Sequence, residues 1–398
     1  MRIAKRGILA AVGVGLAVTV AACGSSGGSS SSGGSDSGPI QVGASVSLTG
    51  AYAGDGKYAK EGYDYAIAQI NKDGGLLGRK LKMTVLDDKS DPGTAVKLYT
   101  KLISQDQVDL LLGPYSSGIS QAVIPLVDKF QKPTIFTEAS APSIFKGTKY
   151  AVQGQVSSFD YFDGLGDFAK SQGYKTAALL DQNVIATQQI CQGAADVLKK
   201  AGVQIVYQKS YPTSATDFSS LVLGMKQANP DIVLGCAYLP DSEGIAKEMN
   251  QQGVKPKLFA ESIGPVEPEY QKSLGKVADG VITSTAWWPS LKTPGNADFI
   301  KGYKAMFGHD PDYHAADAYA GAMVLAAAVK KAGSLDSEKL NTILHQDSFP
   351  TVLGSYKVNS TGQQSGIGSY LLQWQNGALK LVWPSEDQEA KPQFPYGG

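Results

Sequence analysis

Histidine is scarce in this chain of 398 residues: only His309, His314 and His345 occur, and none stands at metalloprotease spacing. Cysteine is equally scarce, with Cys23, Cys191 and Cys236 in all, so no Cys/His zinc pattern can be assembled. The phosphate-binding signatures are missing as well. No G-x-G-x-x-G follows the first predicted strand, and no G-x-x-x-x-G-K-[ST] occurs. Pro114 stands where a nucleophile elbow around Ser116 would need its first glycine. A surplus of positive charge is lacking too: 36 Lys and Arg balance 36 Asp and Glu, which excludes a nucleic-acid partner held by its phosphates. These gaps argue against an enzyme, a bound cofactor and a metal.

What is present starts with a leader. Arg2, Lys5 and Arg6 precede an apolar run from Ile8 to Ala22, the form of an export signal over residues 1–22. The run has 15 residues, short of the roughly 20 that a membrane-crossing helix requires. Val20-Ala21-Ala22-Cys23-Gly24 resembles the lipobox of bacterial lipoproteins, which implies cleavage before Cys23, acylation of its thiol and a lipid membrane as partner. Removing the leader takes away three positive charges and leaves the remainder mildly acidic. Residues 23–39 are Ser and Gly almost throughout and predict a flexible tether.

From Ile40 onward a short apolar run alternates with a longer stretch of helical periodicity. Strands are expected at 40–47, 80–87, 108–112 and 133–136, with helices at 57–72, 91–104 and 117–130. A second series has strands at 175–180, 203–208, 231–235 and 257–260, with helices at 158–171, 187–201, 216–228 and 241–252. Such alternation predicts an α/β fold of two similar, doubly wound lobes. A strand at 280–285 and helices at 296–307 and 312–332 could join either lobe. Asn376-Gly377 predicts a hairpin between 368–375 and 378–383. Cys191 and Cys236 permit a disulfide in an exported protein, as they permit two buried thiols.

Open parallel sheets bind ligands beyond the carboxyl ends of their strands. That rule selects Ser47 to Gly50, Asp87-Asp88, Tyr115 to Ser117, Glu138 to Ser140, Asp181, Tyr238 and Glu261. Ser116 suits a helix N-cap, and Ser117 and Ser140 could donate to a ligand anion near that helix start. Asp87-Asp88 and Glu138 read as solvated carboxylates, and Asp87-Asp88 lacks the further ligands a metal would need. His314 could face the cleft or cap a packed helix. Trp287-Trp288 follow a strand, where one ring could close over a ligand while the other packs.

Several separated motifs carry a family resemblance: Ser47-Leu48-Thr49-Gly50, Gly54-Asp55-Gly56, Gly74-Gly75, Gly78-Arg79-Lys80-Leu81, Asp87-Asp88 with Asp91-Pro92, Leu112-Gly113-Pro114 to Ser117, and Ala139-Ser140-Ala141-Pro142. In that order they resemble the branched-chain amino acid-binding proteins of ABC importers, the type I extracytoplasmic solute-binding proteins. The resemblance implies two lobes joined by three crossovers, with lobe one at 40–152 plus 284–352 and lobe two at 153–283 plus 353–398. It implies capture of a small polar solute, an amino acid or close analogue, by a monomer that docks on a membrane permease. The solute's carboxylate would meet Ser117, Ala139 and Ser140, and its ammonium Tyr238 and Glu261. Glu138 replaces a proline of the family pattern, Asp55 an aromatic residue, and Asn183 to Thr187 an aromatic-glycine pair. With Tyr52, Tyr115, Ile185, Trp287 and Trp288 also around the pocket, an aromatic acid, an amide or another small metabolite is the alternative, and ligand sensing for a receptor the alternative to transport.

Overall fold

The computed structural model describes residues 38–397. The leader, Cys23 and the Ser/Gly run as far as Ser37 lie outside them. Among the described residues, no helix is long and apolar enough to cross a membrane.

The first sheet is built from β1 (Ile40–Val46), α1 (Ala53–Lys72), β2 (Leu81–Asp87), α2 (Pro92–Ser104), β3 (Leu110–Leu112), α3 (Ser117–Lys129), β4 (Thr134–Phe136) and β5 (Ala151–Gln153). Its strands lie in the order β2-β1-β3-β4-β5, all parallel. The period of two in a strand sends alternate residues to opposite layers. Leu110 and Leu112 of β3 pack in the same core as α1, while Leu111 joins Tyr99 and Leu102 of α2 and Val123 of α3. Apolar residues on both faces are what a sheet covered twice by helices requires.

The second series runs α4 (Leu165–Gln172), β6 (Thr176–Gln182), α5 (Ile185–Lys200), β7 (Gln204–Tyr211), α6 (Ser219–Ala228), β8 (Ile232–Cys236), α7 (Leu239–Gln252), β9 (Leu258–Glu261), α8 (Pro268–Leu274) and β10 (Ile282–Thr285). The chain then forms α9 (Asn296–Phe307), α10 (Tyr313–Ala332), α11 (Ser337–Gln346), the small pair β11 (Phe349–Thr351) and β12 (Gly354–Tyr356), and the hairpin β13 (Tyr370–Gln375) with β14 (Ala378–Trp383). The second sheet has the order β14-β13-β10-β9-β8-β6-β7, with β13 antiparallel to β10. These are the two α/β lobes, parallel and mixed. Strand β10 therefore belongs to the second sheet. Helix α10 instead lies against α1, so close that a Cβ on Gly62 would sit 2.3 Å from the Ala315 carbonyl oxygen.

Two local expectations need correction. The helix expected over 158–171 begins at Leu165; residues 158–160 form one 3-10 turn capped by Ser157. The chain between must pass tight against Trp383, 2.5 Å from where a Cβ on Gly164 would stand. Asp88 is buried, not solvated: Ser45 Oγ and Ser47 Oγ donate to it at 2.9 and 2.7 Å. Asp87 accepts from the Leu48, Thr49 and Lys89 amides. The pair thus braces the β1 and β2 ends. Cys191 on α5 and Cys236 at the end of β8 form a disulfide with Cα atoms 5.8 Å apart.

Candidate functional site

A small cavity lies where the strand ends of the two sheets face each other. Its wall from the first lobe starts at the β3 terminus. Tyr115 and Glu138 extend β3 and β4 side by side in one further parallel bridge. Ser116 then caps α3 through its Oγ, which accepts from the Ile119 amide at 3.4 Å. Ser116 does so at φ +71°, a region that side chains rarely adopt. The turn aims Ser117 at the cavity. Ser117 Oγ accepts from the Ala141 amide at 3.0 Å, so its own hydrogen remains available to donate. Ser140 lies beside it in the wall, next to Tyr161.

Helix α10 supplies the next part. Asp312 Oδ1 accepts from the Ala315 amide at 2.9 Å, and this cap sets Tyr313 and His314 in the first helical turn. His314 Nδ1 meets Glu138 Oε2 at 2.8 Å, with both side chains buried. His314 Nε2 stands 3.6 Å from Asp55 Oδ1, and the Tyr115 hydroxyl donates to Asp55 Oδ2 at 2.6 Å. Asp317, one turn further along α10, accepts from Gln155 Nε2 at 2.9 Å. Burial, reinforced by Asp55, pushes the Glu138 carboxyl well above the usual range; burial and then Glu138 do the same to Asp317.

The second lobe closes the cavity with Tyr161, Ala186, Tyr238 and Ile263. Ile263 has φ +36°, a second unusual backbone conformation at the same wall. Residues held in such regions cluster at ligand clamps, because the neighbouring packing must impose them. Tyr52 from the first lobe bridges the mouth, its ring 5.5 Å from Tyr115 and 5.0 Å from Tyr238. Ser143 and Gln189 join the lobes through hydrogen bonds in both directions.

The sequence-selected residues thus divide. Ser117, Ser140, Tyr115 and Tyr238 line the cavity. Tyr52 and Asp55 touch its lining, Ala139 lies buried beside Ser140, and Ile185 packs near the first lobe's α2–α3 core with Ala186 taking the lining position. Glu261 is not in the wall. It shares strand parity with Phe259 and faces the outer layer, where the Tyr270 hydroxyl donates to Oε2 at 2.5 Å. Trp287 and Trp288 line a neighbouring open groove together with Asp55, Tyr58, Glu267 and Trp374, and Tyr313 belongs to both walls. Trp287 is held there by Asn296, to which its Nε1 donates at 2.6 Å. Glu138, read as solvated, is buried, and His314 faces the cleft. Gln155, Tyr161, Tyr313 and Ile263 escaped sequence reasoning. Only Tyr313 carried a signal, as the neighbour of His314 after a capping aspartate. Among the described residues, no group of three or more His, Cys, Asp or Glu could hold a metal ion.

A family profile described as "Periplasmic binding protein" matches residues 39–378. Leu/Ile/Val-binding protein homolog 2 of Brucella abortus is 27% identical over 357 residues, spanning 85% of this chain and 91% of its own. A leucine-binding protein of Thermotoga maritima has a similar fold, with a TM-score of 0.78 at 21% identity over 86% of this chain and 97% of its own. A solute-binding protein of Rhodopseudomonas palustris, solved with benzoate, gives a TM-score of 0.76 at 22% identity over 87% and 96%.

Proposed function

The chain belongs to the periplasmic binding protein family, and on that premise we propose that its lobes close on an amino acid or close analogue whose carboxylate is held by Ser117 and Ser140. The protein binds a small solute outside the cytoplasm for an ABC transporter, and its family is not catalytic. One observation carries the finer reading: Ser117, at the N-terminus of α3 and in the cavity wall, accepts from the Ala141 amide and still has its hydroxyl hydrogen to donate. With the first-turn amides of α3 beside it, that hydrogen suits an anion. The Leu/Ile/Val-binding name of the Brucella relative supports an amino acid-like solute.

The tyrosines around the cavity favour a second reading, a planar aromatic acid like the benzoate of the Rhodopseudomonas protein. Binding would proceed by hinge closure, with the solute touching one lobe first and Tyr52, Ser143 and Gln189 latching the other. The first sheet with α1, α2, α3 and α10 would move as one lobe, and the second sheet, including β10, β13 and β14, as the other. Acylation of Cys23 would anchor this monomer to the bacterial membrane beside its permease.

Native mass spectrometry of the protein purified from its own cells tests the capture. A retained solute bearing a carboxylate is expected; a solute without any anionic group would overturn the assignment of Ser117 and Ser140. Intact mass of membrane-extracted protein tests the anchor, and an unmodified Cys23 would refute it.

A further inference from the structure

Two atoms of the cavity wall have no hydrogen-bond partner although they are buried: Glu138 Oε1 and His314 Nε2. Both residues line the cavity, with side chains 0% and 3% exposed. Their other halves face each other, Nδ1 to Oε2 at 2.8 Å, and hold one proton between them. If the carboxyl is ionised, Nδ1–H donates to Oε2 and a neutral ring has no hydrogen on Nε2. Burial raises the Glu138 carboxyl toward its protonated form instead; with the proton on Oε2 it donates to Nδ1, and the neutral ring carries its hydrogen on Nε2. In that state Nε2 is a donor and Oε1 an acceptor. Asp55 Oδ1 at 3.6 Å is too distant to take the Nε2 hydrogen, yet its charge favours the tautomer that has it.

We propose that the solute carries a carboxamide, whose carbonyl oxygen accepts from His314 Nε2 and whose N–H donates to Glu138 Oε1. This rests on the reading that Ser117 and Ser140 hold a carboxylate at the other end of the same small solute. Other end groups fit the pair less well. A second carboxylate would meet Glu138 and Asp55 with no Lys or Arg in the cavity wall to offset them. An ammonium would satisfy Oε1 but set its hydrogens against the donor at Nε2. A hydrocarbon would leave both buried atoms bare, and a buried polar group without a partner is costly. The carboxamide offers an acceptor and a donor on neighbouring atoms without net charge, one for each of the two bare atoms. Both polar ends of the solute are then gripped by residues attached to the first sheet and α10, while the second lobe contributes Tyr161, Tyr238, Ala186 and Ile263 as a cover.

Calorimetry on the purified protein with matched solutes tests this. The probes are glutamine, glutamate and leucine, and separately 4-carbamoylbenzoate, terephthalate and 4-aminomethylbenzoate. The amide member of at least one set is expected to bind at least about tenfold more tightly than its companions, the loss that follows when a buried donor or acceptor goes unmatched. Glu138→Met, which removes the acceptor at similar length, is expected to erase that preference. A variant that fails to fold leaves the comparison of probes on the native protein decisive. An acid or amine preferred over the amide, or leucine bound most tightly, overturns the carboxamide; if Ser117→Ala still weakens that solute, the carboxylate reading stands. Failure of every probe to bind overturns both.

Discussion

The rings of Tyr52 and Tyr238 lie 5.0 Å apart, and they join the start of α1 in one lobe to the start of α7 in the other across the cavity mouth. An aromatic pair contributes about 0.5–1.5 kcal/mol beyond its buried area, and Tyr52 makes a second pair with Tyr115. Because the Tyr52–Tyr238 contact exists only when the lobes meet, Tyr52→Ala should raise the solute dissociation rate about tenfold while association stays within about threefold. Stopped-flow fluorescence would measure both; an unchanged dissociation rate would remove Tyr52 as a latch.

Ser117→Ala should weaken a carboxylate-bearing solute by about 10- to 100-fold, the usual worth of a hydrogen bond to a charged group. It also strips the Ala141 amide of its acceptor, so a small loss of thermal stability should accompany it. Ser140→Ala should weaken binding less, since Ser140 does not stand at the α3 N-terminus as Ser117 does. Titration calorimetry of the two variants would show whether the order is reversed.

Glu261→Ala should behave as a core substitution. It leaves the Tyr270 hydroxyl without its partner in a packed layer, a loss of about 2–4 kcal/mol, with solute affinity within about threefold of the native value. Urea unfolding together with calorimetry would separate the two effects. A large fall in affinity at unchanged stability would return Glu261 to the binding site.

The open groove predicts a pH dependence. Burial first, then repulsion by Asp55, Asp312 and other carboxylates, raises Glu267 from 4.5 to about 9. The folded protein therefore holds this proton more firmly than the unfolded chain. Below about pH 4.5 both states are protonated and nothing is lost; as pH rises toward about 9 the unfolded chain ionises first and stability falls. Glu267→Gln should flatten that decline by on the order of 2 kcal/mol across the window. Equal slopes for variant and native protein in denaturation at about pH 5, 7 and 8.5 would count against it.

Replacing both Cys191 and Cys236 with serine opens a loop of 45 residues. Chain entropy then allows a loss of up to about 4 kcal/mol. The bridge ties α5 to β8 inside one lobe, so solute affinity should survive in whatever fraction remains folded. Reductant titration followed by circular dichroism would register the loss, and identical urea midpoints with and without the bridge would refute it.

The layout of strands was legible because runs such as Leu110–Leu112 and Ile232–Cys236 are apolar and short, and strand-end positions follow from the layout. Ser117, Ser140, Tyr115 and Tyr238 were reached that way. Glu261 takes the outer face because parity decides which side a strand residue occupies, and one residue's shift in β9 exchanges the cavity for the outer layer. Glu138 defeated composition, which favours a solvated glutamate; its burial depends on His314, which stands 176 residues later. Tyr161 and Ile263 lie on turns whose course is set by packing between distant segments, a property that no local pattern records.

The order of strands in the second sheet also bears on how the chain acquires its shape. Strands β13 and β14 complete that sheet beside β10, and they are synthesised after every other strand of it. Helix α10, which covers the first sheet, likewise arrives after most of the second has been made. Neither half can finish its interior on a growing nascent chain. A ribosome paused before residue 370 would hold a polypeptide still open to chaperones and to the threading that export demands.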